Sequence, residues 1–310
     1  MKALVTGGAG FIGTNLCLRL LAEGWNVVAL DNLVQGKREN LPKAVEFVKA
    51  DVRDKAAVEK AAKGCNVVFH IAANFANQRS VDDPQEDLDI NGKGTLNVLQ
   101  ACRDCGAKRL VYASSSCVYG PFDGVLTENA SRHPETPYAI TKLLGEQYCK
   151  FFNDHEGIEC VSLRLFNVYG PFDRPGKYRN VIPNFMRLAK DGKPLPVMGD
   201  GSDSRDYTYI DDVVECFVRA ATRGGVAGEA INVGGGSEVE IKDLTQAVLK
   251  LTGSKAGTVA HERRSWDHIK RRVASAGKCG KLLGFKPSTP LAQGLRKTWA
   301  WFKKENPKPI

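Results

Sequence analysis

Thr6-Gly7-Gly8-Ala9-Gly10-Phe11-Ile12-Gly13 follows the short apolar run Ala3-Leu4-Val5 and opens an amphipathic segment, Thr14 to Glu23. Strand, glycine turn and helix, in that order, make the first half of a dinucleotide-binding βαβ unit. Glycine permits positive φ in a tight turn and lets the backbone approach a pyrophosphate with no Cβ in the way. The start of the helix offers unpaired N–H groups and the positive end of its dipole. Gly8, Gly10 and Gly13 fit the spacing G-x-G-x-x-G, and Gly7, Gly10 and Gly13 fit G-x-x-G-x-x-G. Glycine runs arise by chance, so the surroundings decide. A second apolar run, Trp25 to Leu30, ends in Asp31, 18 residues after Gly13. A carboxylate there accepts hydrogen bonds from a ribose diol and repels a 2′-phosphate, so the expected cofactor is NAD rather than NADP. Gly7, Gly10, Phe11, Ile12, Gly13, Asp31 and Asn32 are its expected contacts on this side.

Beyond this unit the chain alternates. Val45–Val48 reads as a third strand, followed by Asp51-Val52 and an alanine-rich helix, Lys55 to Lys63. Val67–Ile71 is a nearly continuous apolar strand, as a parallel sheet covered on both faces requires. Leu88–Cys105 has a helical period, Lys108–Ala113 is a fifth strand, Tyr138–Glu156 a helix and Cys160–Phe166 a sixth strand. The expected fold is therefore α/β: a Rossmann-type doubly wound parallel sheet with helices on both faces and a smaller C-terminal α/β substrate-binding region. Residues 1–166 are expected to form the NAD-binding domain, with 207–233 returning to it. Residues 167–206 and 234–310 are expected to bind substrate. Prolines 171, 175, 183, 194 and 196 break the pattern after Asn167; helices are expected at Ile182–Lys190, Glu238–Thr252 and Leu291–Lys303.

A chain of 310 residues with 43% hydrophobic and 25% charged residues has the composition of a globular enzyme. Its net charge of +9 is spread along the chain, with only Arg263-Arg264 and Lys270-Arg271-Arg272 clustered. That distribution suits an anionic nucleotide substrate at least as well as nucleic acid, which is not expected as a partner. The N-terminus enters a strand at once and no apolar run reaches membrane-spanning length, so a cytoplasmic protein without membrane contact is expected. The nine cysteines show no framework spacing. Cys102-x-x-Cys105 lies in a helical pattern with no second ligand pair, which reads as packing; no metal is expected.

Ligands of open α/β sheets bind beyond the carboxyl ends of the strands. That rim carries the glycine turn, Asp31, Asp51, Ala72-Ala73 and the run Ser114-Ser115-Ser116-Cys117. Tyr138 and Lys142 stand at i and i+4, on one helical face. A neighbouring ammonium and the positive ring of an oxidised nicotinamide would both favour the phenolate of Tyr138, lowering a pKa ordinarily near 10. Ser115 can share a hydrogen bond with the same substrate oxygen. The catalytic expectation is thus Ser115, Tyr138 and Lys142.

Five segments together resemble the extended short-chain dehydrogenases/reductases of the sugar-nucleotide epimerase and dehydratase group: Thr6–Gly13, Ser114–Gly120, Tyr138–Lys142, Arg164–Pro171 and Gly199–Tyr207. The resemblance spans nearly the whole chain. It implies a permanently held NAD, a nucleoside-diphosphate sugar as substrate, and the trio named above. It further implies that Asp51-Val52 meets the adenine, that Ala72, Ala73, Tyr138 and Lys142 also hold the cofactor, and that Asn167 and Asn180 lie along the sugar and diphosphate. Ser115, Ser116, Val181 and Val197 are further substrate contacts. Arg205 and a later arginine would clamp the diphosphate, a task suited to the bidentate guanidinium fork. Arg264 is the first choice for that second arginine, with Arg263 and Arg271 competing. Relatives often dimerise through the helices at Leu88–Cys105 and Tyr138–Glu156, so a homodimer built on a four-helix bundle is implied.

The two residues after Ser115 bear on the reaction. Dehydratases of this group carry Asp-Glu there and decarboxylases tend to carry a glutamate; Ser116-Cys117 supplies neither. Reversible oxidation at sugar C4 needs no further acid or base, so C4 epimerisation of a UDP-sugar is expected, with UDP-glucose and UDP-galactose as the pair. Arg174 keeps UDP-glucuronate as an alternative, because a C6 carboxylate calls for a cation. A carbanion-type epimerase or reductase using Cys117 is a further one, although Phe172 stands where such enzymes carry a histidine.

Overall fold

The fold follows from where seven buried runs of sequence sit in one sheet. A computed structural model describes residues 1–75, 77–263 and 269–310. In chain order the first elements are β1 (Lys2–Thr6), α1 (Phe11–Ala22), β2 (Asn26–Asp31), β3 (Glu46–Lys49), α2 (Lys55–Ala62) and β4 (Val67–His70). Next come α3 (Asn77–Asp82), α4 (Pro84–Asp87), α5 (Gly94–Cys105), β5 (Arg109–Ser115), β6 (Val125–Leu126), α6 (Pro137–His155) and β7 (Glu159–Leu165). The main sheet runs β7-β5-β4-β1-β2-β3, all parallel. β1 lies between β2 and β4, so the strand order reverses at the glycine turn, where α/β sheets open a ligand crevice.

Period two sorts the core. Ala3 and Val5 of β1 face one layer with Leu16, Leu20 and Phe217, while Leu4 faces the other with Val58, Val98 and Leu99. Both layers are fully buried, which is why these strands read as continuous apolar runs rather than alternating ones.

Two elements absent from the sequence reading complete the sheet. After β8 (Val168–Tyr169), α7 (Val181–Lys190), β9 (Leu195–Met198), β10 (Ser204–Asp206) and β11 (Thr208–Tyr209), the chain returns through α8 (Ile210–Thr222). The strand β12 (Ala230–Val233) then pairs with β7, Ile231 against Leu163 and Val233 against Leu165. The remaining elements are β13 (Glu238–Glu240), α9 (Ile241–Thr252), β14 (Thr258–His261), β15 (Arg271–Ala274), α10 (Gly277–Leu283) and α11 (Leu291–Glu305). A small sheet, β13-β10-β15-β6, walls the opposite side of the crevice.

Two expected helices differ in detail. The helix expected from Glu238 starts at Ile241, because Glu238–Glu240 pairs with β10 as a strand. Leu88–Lys93, expected to be α-helical, is a turn of π-helix leading into α5, a local widening frequent at functional sites. No helix among the described residues is long and apolar enough to cross a membrane. All nine cysteines are free thiols, Cys102 packed in the core.

Candidate active site

One cavity of about 460 Å³ runs along the carboxyl ends of the strands, from Asp31 and Asp51 at one end to Arg205 and Arg272 at the other. At its floor the glycine turn is packed to the limit. Gly7 has φ +68°, and a Cβ there would come within 2.8 Å of Ala72 N; a Cβ on Gly13 would come within 2.1 Å of Gly7 O. Gly10 caps α1 with no side chain, so the amides at the helix start face the cavity unshielded.

Asp31, at the end of β2, is 7% exposed and accepts from the amides of Ala9 (3.0 Å) and Leu33 (2.8 Å). Burial pushes its pKa up while those amides oppose the rise. Asn32 donates to Asp51 Oδ2 (2.8 Å), and Arg53 grips both oxygens of Asp51, holding its carboxyl at about 2. Phe11, Ile12, Gly7, Gly10, Gly13, Asn32, Val52, Ala72 and Ala73 line the same end.

Ser115 ends β5, and its Oγ accepts from the amide of Cys117 at 3.1 Å. Tyr138 and Lys142 come from α6, whose first turn is capped by Thr136. Lys142 is 2% exposed; its Nζ donates to Ala113 O at 2.9 Å and lies 5.7 Å from the centre of the Tyr138 ring. Burial lowers the Lys142 pKa to about 8, against the pull of Asp87. For Tyr138 the direction is opposite to the sequence expectation. Burial, then the neighbouring Cys117 thiol, raises its pKa, and hydrogen bonding to Ser115 opposes the rise. The phenol is seven-hundredths exposed, and desolvation of a phenolate outweighs an ammonium that is itself bound to a carbonyl.

Ser116, Asn167, Asn180 and Arg205 line the cavity, whereas Val181 and Val197 are not among its lining residues. Arg205 does not pair with Asp203 or Asp206: it donates to the carbonyls of Ser204, Ile269 and Lys270. Arg263 pairs with Asp203 and Arg271 with Glu238, so neither competitor for the second clamp faces the cavity. Arg264 lies outside the described residues. Arg174 is turned away and donates to Lys308 O at 2.8 Å.

The sequence reading missed several groups. Arg272, 8% exposed, lines the cavity and donates to Cys117 Sγ at 3.3 Å. Asp173 is 1% exposed and accepts from Asn180 at 3.2 Å; burial pushes its carboxyl up to about 7. His70 bridges Thr6 (2.7 Å) and Thr95 (3.0 Å) beneath the turn, with burial pulling it down to about 3. Among the described residues, Asn74 Oδ1 and Nδ2, Asn167 Nδ2, Asp173 Oδ1 and Arg272 Nε are buried without a hydrogen-bond partner, and all belong to cavity-lining residues. Orphaned polar atoms are rare in native interiors. Their concentration here, above a glycine cradle that a Cβ would fill, fits a polar, phosphate-bearing occupant.

A parallel sheet with a glycine cradle at its switch point, and Ser115, Tyr138 and Lys142 on the rim, defines an enzyme of the extended short-chain dehydrogenase/reductase class. The model of the NAD dependent epimerase/dehydratase family matches residues 3–234, and the chain belongs to that family; its cofactor is NAD. The chain is 37% identical to the UDP-glucose 4-epimerase of Mycolicibacterium smegmatis, over 99% of this chain and all of that one. Among solved structures it resembles the epimerase Mth375 of Methanothermobacter thermautotrophicus, with 42% identity, TM-score 0.95 and coverage of 98% and 92% of the two chains. It also resembles the Thermus thermophilus UDP-glucose 4-epimerase in complex with NAD, with 36% identity, TM-score 0.92 and coverage of 98% and 99%.

Proposed function

We propose that the protein interconverts C4 epimers of a UDP-sugar, with UDP-glucose and UDP-galactose as the pair. The observation that carries this reading is a Ser115–Tyr138–Lys142 rim followed by Ser116 and Cys117, with no carboxylate at the two positions where water elimination would need one. NAD, when bound, supplies a hydride acceptor and returns the hydride within the same turnover. Gly7, Gly10, Gly13 and Asp31 would hold it, and Lys142 would brace its ribose. Ser115 holds the C4 oxygen by a hydrogen bond. Tyr138 takes the proton from that oxygen as the alcohol becomes a ketone and returns it after the sugar has turned over. The step needs Tyr138 as phenolate: burial holds the phenol up in the chain without cofactor, and Lys142 together with the positive ring of an oxidised nicotinamide would pull it back down.

Arg174, the cation that would speak for a uronate in sequence, is bound to the backbone of Lys308 and so gives no support to a uronate in place of the hexose pair. Arg205 remains the clamp for the diphosphate. Incubating the protein with UDP-galactose and following UDP-glucose formation without added NAD tests the reading; no interconversion by protein carrying its nucleotide would refute it. For the assembly, we propose a homodimer through α5 and α6, supported by Leu88, Ile140 and Phe151, apolar side chains 45%, 53% and 50% exposed beside these helices. Ile140→Glu with Phe151→Glu should then yield a monomer by analytical ultracentrifugation.

A further inference from the structure

Arg272 is built differently from the arginines around it. Strand β15 alternates, sending Arg271 out to Glu238 and Arg272 into the cavity. Its guanidinium is buried, yet among the described residues no carboxylate pairs with it and its Nε has no hydrogen-bond partner. Four of the acidic residues that line the cavity are otherwise engaged: Asp31 with two amides, Asp51 with Arg53, Glu86 with Arg79, and Asp173 with Asn180. A fifth, Glu135, is exposed to solvent and makes no ion pair with Arg272. A buried cation without a counter-charge is costly unless a ligand supplies one.

The position narrows what that ligand group is. Arg205 stands directly beside Arg272 in the β10–β15 register. Arg272 reaches past it to Cys117, two residues from Ser115, and so to the end of the cavity where Ser115 and Tyr138 would hold the C4 oxygen. The diphosphate hangs from C1, at the opposite corner of the hexose ring. The substituent next to C4 that can carry a negative charge is C6, attached through C5. We infer that Arg272 is a specificity-determining residue that grips a C6 carboxylate, so that this site takes UDP-hexuronates as well as UDP-hexoses. A carboxylate would occupy the planar fork at two positions, which a C6 hydroxyl cannot do.

The inference rests on the proposed C4 epimerisation, and one set of assays separates the two. Purified protein is given UDP-galactose and UDP-galacturonate in parallel, and kcat/KM is measured for each in the wild type, Arg272→Met and Arg272→Lys. The expected result is turnover of both sugars by the wild type and a fall of at least tenfold in the uronate-to-hexose ratio in Arg272→Met. Arg272→Lys keeps the charge without the fork, so it should lose part of that ratio; it also serves if the methionine variant does not fold. Turnover of the hexose alone by the wild type overturns the inference and leaves the C4 reading standing, whereas turnover of neither sugar removes both. An unchanged ratio in the variants overturns it, as does an equal loss for both sugars, which would assign Arg272 to the shared diphosphate.

Discussion

Arg164 holds Glu146 through two hydrogen bonds, 2.9 Å to Oε1 and 2.7 Å to Oε2, and the two side chains are 1% and 5% exposed. Glu146 lies one turn after Lys142 and two after Tyr138 on α6, and it also accepts from Ser114 at 2.5 Å. Arg164, on β7, extends the chain of contacts to Tyr119 and thence to Asn232 on β12. The pair therefore ties the helix carrying the tyrosine and lysine to β7, and the Ser114 contact ties the same helix to β5, which carries the serine.

Removing one partner should be expensive. Arg164→Met leaves a buried carboxylate uncompensated and should destabilise the protein by about 3–5 kcal/mol. Chemical denaturation measures it. The double variant Arg164→Met/Glu146→Gln should lose less than the sum of the two single changes, since neither then leaves a bare charge. Additive losses would show that the pair is not coupled.

Tyr138→Phe should retain bound NAD and cut turnover by roughly a hundredfold or more, the usual scale of a general acid–base group. Cys117→Ala should cost far less. If both variants were equally inactive, the thiol would be implicated in proton transfer and the C4 mechanism would need revision.

Gly13→Ala places a methyl group 2.1 Å from Gly7 O and 2.7 Å from Gly8 Cα, both backbone atoms that cannot swing aside. The turn must open, so the variant should copurify with little or no NAD. It should also unfold with a stability reduced by about 1 kcal/mol or more. Full NAD occupancy in this variant would mean that the cradle does not bind the pyrophosphate.

Asp173 makes a prediction about pH. Its folded pKa of about 7 lies above the ordinary carboxylate value, through burial first, with Arg179 and Asn180 opposing. Between about pH 4 and 7 the folded chain thus holds a proton that the unfolded chain has released, and stability falls as pH rises across that window. Asp173→Asn removes this dependence. Its stability relative to wild type should grow by on the order of a few kcal/mol from pH 4 to pH 8, as read from denaturation midpoints at each pH. A difference that stays flat with pH would show that Asp173 ionises normally.

What could be read from the chain, and what could not, divides along physical lines. The glycine turn, Asp31 and the Tyr138–Lys142 pair are legible because each function demands a residue type at a fixed spacing within one local element. Arg272 is not. Its role depends on the parity of β15, and a four-residue strand in a small mixed sheet leaves no periodicity strong enough to separate Arg271 from Arg272. The strand β12 escaped for a related reason, since four residues after a loosened region carry too little pattern. The rise in the Tyr138 pKa depends on how deeply α6 packs, which no spacing reports. His70 reads as one more apolar-strand residue until Thr6 and Thr95 are brought around it from 64 and 25 positions away.

The place of β12 has a consequence for how the molecule is made. β7 is complete by Leu165, but the strand that covers its outer edge is not synthesised until Ala230–Val233. A nascent chain that has released the whole glycine-turn half still presents a bare row of backbone donors and acceptors along β7, a surface that pairs readily with other chains. Asn232, which closes the Tyr119–Arg164–Glu146 contacts, arrives on the same late strand. Protein truncated anywhere before Val233 would be left with an open sheet edge and a loosened Tyr138–Lys142 helix, so aggregation rather than a trimmed but working enzyme is its natural fate.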